Sequence, residues 1–348
     1  MGAGSIASSM GRILCIWLAA LCAACSATAI SAQQRAPLSA EVQFKDADRF
    51  AEIFNRADGR PSAEDLQQGY LDGAGRGVQI FTPDRIEDAA NLAREIAEYP
   101  AKYRRAIDVC LPAAKAATAD LRAIYLGLSS VFPRRELPEL YVVFGAGNSG
   151  GTAGSDAQVI GLEVICEIAD TPEQIRQTFR RFFAHETVHV LQAQVSDEAL
   201  PMQRDPLLTA SLREGFADFV AALVTGEPPE PARNLWAKER EDAIWTAFQH
   251  DRARLIAFAK QGATLDSPPP EAMAVFRRWH FNYGGAPAGW PSELGYWVGE
   301  QISRSYLEQA DDKQQAINNL LILSDPEAIL EQSGYADKPK AGAGMVIE

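Results

Sequence analysis

Four histidines occur in the 348 residues, and two of them fall in His185-Glu186-Thr187-Val188-His189. On a helix, positions 185 and 189 share one face, with Cβ atoms about 5–6 Å apart. Two imidazoles so placed can grip one metal ion, while Glu186 is turned aside and can take a proton from water. With so few histidines in the chain, a chance His-Glu-x-x-His is rare. A catalytic zinc needs three protein ligands and one open position. The third ligand is expected downstream in Ser211-Leu-Arg-Glu214-Gly-Phe-Ala-Asp218, where Glu214 and Asp218 are four apart and project from one helical face. Glu214 reads as the ligand. Asp218 reads as the carboxylate that accepts the outer N–H of a ligand histidine and fixes its tautomer. Glu198 and Asp218 are the replacement ligands should Glu214 not serve.

These residues act together only if two helices carry them. Thr171-Pro172-Glu173-Gln174 supplies an N-cap Thr, Pro at the first helical position and Gln at the third, and Ile175, Phe179, Phe182 and Phe183 follow at helical spacing. A helix is therefore expected over 172–194, and a second over 207–225, closed by Gly226. Further helices are expected over 39–57, 84–107, 112–130, 232–260, 268–280, 292–309 and 312–323, with Pro/Gly clusters between the later ones. Residues 140–144 and 159–168 read as two strands of a hairpin-like unit around a Gly-rich loop, 145–154. That loop lacks the Lys-Ser/Thr of a phosphate-binding loop and precedes a strand, so it reads as a flap or tight turn. The strand over 159–168, just before the histidine helix, is a candidate edge for an extended substrate. The predicted class is α+β, mainly helical, with a small sheet packed on the motif helix. Five tryptophans between Trp236 and Trp297 read as helical core, and Arg180-Arg181 and Arg277-Arg278 as solvated faces.

The pattern resembles the gluzincin branch of zinc metallopeptidases. More narrowly, it resembles an uncharacterised family of predicted zinc-dependent proteases related to GldB-type gliding-motility lipoproteins. The shared-looking stretches are Leu66-Gln-Gln-Gly-Tyr70, Gly161-Leu-Glu163, the zinc motif, Glu214-Gly-Phe-Ala217 and Gly295-Tyr-Trp-Val-Gly299. They extend over most of the chain, but only the zinc stretches are chemically specific. The resemblance implies a zincin-like fold and a peptidase acting on a peptide or protein, with no substrate known. The expected chemistry is metal-assisted hydrolysis, with Glu186 moving a proton from water to the leaving amine. An oxyanion donor is needed. Tyr296, His280 and Tyr283 are candidates, and Tyr296, in Gly-Tyr-x-x-Gly on an expected helix, is preferred. The competing reading is a non-catalytic envelope protein whose zinc site is structural.

Residues 1–32 read as a secretory signal peptide, with an apolar run Ile13–Ala24 and small residues before a cleavage site after Ala29 or Ala32, of which Ala32 is favoured. Residues 33–348 then form the catalytic domain, with two lobes around a cleft as one arrangement. The chain is expected to be exported, periplasmic or secreted. Membrane attachment follows only if Cys25 is lipidated. Of the five cysteines, Cys110 and Cys166 would remain, and an oxidising compartment permits a disulfide between them or two separate thiols. The net charge of -13, from 33 basic and 46 acidic residues, disfavours contact with nucleic-acid phosphates.

Overall fold

Capping side chains set where the long helices begin. In the computed structural model, which describes residues 36–263, 267–342, 344 and 347, Thr171 accepts a hydrogen bond from Gln174 N while the Gln174 side chain returns one to Thr171 N. This closes a capping box at the head of the motif helix, Pro172–Val195. Asp205 caps the acid helix, Pro206–Thr225, by accepting from Leu208 N, and Gly226 ends it in the left-handed conformation. The predicted signal segment, Cys25 included, lies outside the described residues.

The chain is mainly helical with a small mixed four-stranded sheet, an α+β arrangement, and the described residues pack as one unit. No helix among the described residues is long and apolar enough to cross a membrane. Several expected long helices are broken. Residues 84–107 hold helices Ala89–Glu98 and Pro100–Arg105, because Pro100 lacks the N–H that would continue the first. Residues 232–260 divide into Pro231–Lys238 and Glu241–Lys260, and 112–130 into Leu111–Ala116 and Thr118–Val131. A final helix, Pro326–Ser333, was not anticipated. Trp279 is fully buried, Trp245, Trp290 and Trp297 nearly so, and Trp236 packs on the core's margin.

The sheet corrects the expected hairpin. Its strands are β1 (Val42–Gln43), β2 (Glu139–Val143), β3 (Gly151–Ala153) and β4 (Ala157–Gly161), in the order β1-β2-β4-β3. β2 pairs with β4 in parallel, and the antiparallel hairpin is β3 with β4. The strand expected over 159–168 stops at Gly161. Leu162–Glu167 is a helix instead, with Leu162, Ile165 and Cys166 spaced to face the core; its apolar, β-branched composition imitated a strand. β4 is therefore an internal, fully buried strand and cannot be the substrate edge; β3 is the edge. Cys110 and Cys166 form a disulfide that ties this helix to the segment Ala106–Cys110.

Going from β2 to β3, the chain must cross the end of β4, and the Gly-rich loop makes that crossing. Gly161 N donates to Gly150 O, and a Cβ on Gly161 would overlap Ser149 O. Far from being a free flap, the loop is fastened along its length. Tyr70 Oη donates to Phe144 O, Tyr103 Oη donates to Gly145 O, and Gly147 N donates to the fully buried Glu163.

Candidate metal centre

The motif helix is clamped from behind by the sheet. Gln158 on β4, wholly buried, donates to Thr187 Oγ1 at 2.6 Å and to Phe183 O at 3.3 Å. That contact holds one face of the helix and turns the histidine face toward the acid helix. There His189 Nε2 lies 3.0 Å from His185 Nε2 and 3.0 Å from Glu214 Oε2, and His185 Nε2 is 3.5 Å from Glu214 Oε2. The predicted trio is thus brought together, as a group that could hold a metal ion.

The outer ring nitrogens decide what the inner ones can do. His185 Nδ1 meets Asp218 Oδ1 at 2.9 Å. A carboxylate only accepts, so this nitrogen carries the proton and Nε2 presents a lone pair. Asp218 is held ionised: burial opposes its charge, but Arg233 at 2.7 Å and His185 outweigh it and lower its pKa. His189 Nδ1 meets Gln192 Oε1 at 2.7 Å, and Gln192 Nε2 donates to Arg213 O, which leaves the amide oxygen facing the imidazole. His189 Nε2 is then bare as well.

Three lone-pair atoms thus face one another, an arrangement only a cation relieves. Their 3.0–3.5 Å separations suit the edge of a tetrahedron around an ion with bonds near 2.0–2.1 Å, about 3.3 Å. Protons fill the role where no metal does. Burial opposes charge on His185, but the hydrogen bonds it donates to Asp218 and Glu214 prevail and push its pKa up to about 10. Glu214 is held well below the usual carboxylate range by the two histidines, again against burial.

Two backbone approaches place the remaining residues. A Cβ on Gly299 would overlap Ser211 O, and one on Gly215 would strike the Gly299–Glu300 backbone. The acid helix and the tyrosine helix, Leu294–Gln309, therefore touch main chain to main chain beside Glu214. This contact lays the Tyr296 ring over His185, centroids 6.1 Å apart and planes within 4°. Burial, Glu214 and neighbouring carboxylates raise the Tyr296 pKa well above 10, so its hydroxyl, hydrogen-bonded to Glu214, stays protonated.

The other candidates lie elsewhere. His280 is buried behind Tyr296, bonded to Ser211 Oγ at 3.0 Å, and burial pushes its pKa down to about 4. Tyr283 is 79% exposed on the rim of the cleft. Glu198 pairs with Arg213 at 3.0 Å. Arg180 and Arg278 are not on solvated faces: Arg180 binds Asp120 and Thr225 O, and Arg278 stacks on Trp290.

His185, Glu186, Asp218 and Tyr296 line a cleft of about 390 Å³. The edge strand passes Glu186 so closely that a Cβ on Gly151 would lie 2.9 Å from Glu186 Oε1. Sequence reasoning missed Gln192, Arg233 and Gly151. Gln192 had a signal, since it lies one turn beyond His189; Arg233 and Gly151 had none in local spacing. Compared with known proteins, the chain matches no family model, no curated protein and no solved structure.

Proposed function

We propose that the chain is an exported zinc-dependent peptidase. The observation that carries this reading is the convergence of three lone-pair donors, from His185, His189 and Glu214, beside a cleft that Glu186 also lines. Two imidazoles and a carboxylate suit zinc. Structural zinc is normally closed by four protein ligands, whereas catalytic zinc keeps three and an open position. Among the described residues the group has three, which favours catalysis over a structural role in a non-catalytic envelope protein. The Cys110–Cys166 disulfide agrees with export to an oxidising compartment.

Zinc, when bound, supplies Lewis acidity, polarising a carbonyl and making nearby water acidic. The protein's own residues supply the rest. Glu186 takes the proton of the attacking water and delivers it to the leaving amine. Asp218, itself held by Arg233, keeps His185 in the tautomer that offers Nε2. Tyr296 donates a hydrogen bond from its hydroxyl to the charge that develops on the carbonyl oxygen. β3, an edge strand running past Glu186, offers main-chain groups to an extended peptide.

The test combines metal analysis with a peptide-library digest of wild type and Glu186→Gln. We expect one zinc per chain in both proteins. Cleavage by wild type should fall by at least a thousandfold in the variant. Protein made with zinc available but lacking stoichiometric metal, or equal cleavage by both proteins, would refute the reading.

A further inference from the structure

The helix that carries Tyr296 starts without a cap of its own. Tyr296 is its third residue, in the first turn, where the amides lack the usual partners within the helix. Glu293, at the cap position, makes no side-chain cap bond and stands in the left-handed conformation, φ 57° and ψ 40°. A residue other than glycine persists there only where its surroundings hold it. Phe281 is left-handed too, at φ 54°. Strained residues therefore stand at both ends of the connection from 281 to 293, which contains no helix or strand.

Asn282, between the two, is what holds Glu293. It is buried, and it does not line the cleft. Its Oδ1 accepts from Glu293 N at 2.8 Å, and its N donates to Glu293 Oε1 at 3.0 Å, a reciprocal pair. Its Nδ2 donates to Arg278 O at 2.9 Å, and its carbonyl accepts from Gly285 N at 2.8 Å. A buried amide with each of its groups engaged has one orientation and fixes whatever it holds. The Glu293 carbonyl, aimed by this clamp, accepts from Tyr296 N at 3.1 Å and from Arg233 Nη1 at 3.2 Å. Beside it, Gly295 N donates to Trp279 O at 3.1 Å. The first turn of the tyrosine helix is thus fastened from outside, by residues 279–282, and that turn lays the Tyr296 ring over His185.

We infer that Asn282 is a positioning residue for the reaction: acting through Glu293, it sets the first turn of the tyrosine helix and so aims the Tyr296 hydroxyl. The inference rests on the peptidase reading for what that hydroxyl does, but the positioning is also readable without turnover. The test compares full-length wild type, Asn282→Ala, Tyr296→Phe and the double variant on a peptide that wild type cuts. Asn282→Ala should lower kcat at least tenfold, with KM within threefold of wild type and zinc still one per chain. In the Tyr296→Phe background the same substitution should cost less than twofold, because its effect runs through the missing hydroxyl. Hydrogen exchange at the Tyr296 amide should quicken at least tenfold in Asn282→Ala, with the acid helix unchanged. Should Asn282→Ala not fold, Glu293→Gly, which takes the left-handed turn without strain, supplies a background for the same comparison, and there the substitution should still lower kcat at least threefold. An unchanged kcat, unchanged exchange at Tyr296, or losses that simply multiply in the double variant would overturn the inference. If exchange responds as expected while wild type cuts no peptide in the library, Asn282 still sets the helix start and the peptidase reading fails.

Discussion

Two main-chain crossings flank the motif helix, and they are secured in opposite ways. Where the acid helix meets the tyrosine helix at Gly215 and Gly299, the buried side chains nearby are ionic and matched: Asp218 holds both His185 and Arg233, and Glu214 faces two histidines. Where the Gly-rich loop crosses β4, the fastening is steric and neutral. Tyrosine hydroxyls hold its carbonyls, and the one buried acid beneath it, Glu163, has an oxygen with no hydrogen-bond partner. Lys102, whose charge also acts on Glu163, pairs with Glu95 and Glu167. Glycine permits both crossings. The first then presents a group of side chains that could hold a metal ion. The second sets the position of a strand edge.

The largest effect should come from breaking the ionic crossing at its centre. His185→Ala or Glu214→Ala removes one of the three proposed ligands and should reduce bound zinc from one per chain to near zero under dialysis, measured by elemental analysis. Protons compete for the same lone pairs, because His185 is pushed up to about 10. Zinc affinity should therefore weaken steadily as pH falls from 8 to 6. Asp218→Asn is the finer probe. It leaves the ligands in place but removes the acceptor that fixes the tautomer and leaves Arg233 buried beside a neutral amide. Outer carboxylates of this kind typically contribute 10–100-fold in metal affinity, and a competition titration with a chelator should show a loss in that range. An unchanged affinity would mean that the Asp218 contact is packing only.

This contrast also explains what could be read in the chain. The ionic crossing was legible because its chemistry repeats at helical spacing: 185 and 189, 214 and 218, and the cap at Thr171 with Gln174. The glycines around it were visible as letters without a reason. Gly161, Gly295 and Gly299 stood in the shared-looking stretches, and the structure shows each one where a Cβ would strike Ser149, His280 and Ser211 respectively. Leu66–Tyr70 likewise carried no chemical meaning until Tyr70 was found bonded to both Phe144 N and Phe144 O. Such contacts join segments far apart in sequence, so no local period encodes them. β3, three residues of Gly-Thr-Ala, is too short to show alternation, and the helix after Gly161 was hidden by residues that favour strands.

The steric crossing is broken most directly at Gly151. A side chain there meets Glu186 at contact distance, so Gly151→Val should displace either the edge strand or the carboxylate. We expect kcat to fall at least tenfold with zinc content unchanged. That outcome separates the two crossings, since variants at the ionic one should lose metal. Gly151→Val protein that kept full activity would show that the strand edge takes no part.

The smallest effect, on stability rather than turnover, belongs to Glu163. Burial pushes its pKa up from 4.5 to about 7, against the backbone N–H groups of Gly145 and Gly147, which favour the charged form. A carboxyl with a raised folded-state pKa binds its proton more tightly in the fold than in the unfolded chain. Its contribution is therefore complete below about pH 4.5 and is lost as pH rises through 7. That shift corresponds to roughly 3 kcal/mol. Glu163→Gln keeps an acceptor for Gly147 N and cannot ionise, so it should escape the loss. Other groups titrate in both proteins, which makes the difference between the two melting curves the informative quantity. The variant should gain several degrees in Tm over wild type between pH 5 and pH 8. Parallel curves across that range would mean that the loop holds Glu163 charged, with a cation or water beside it, and that the second crossing is ionic like the first.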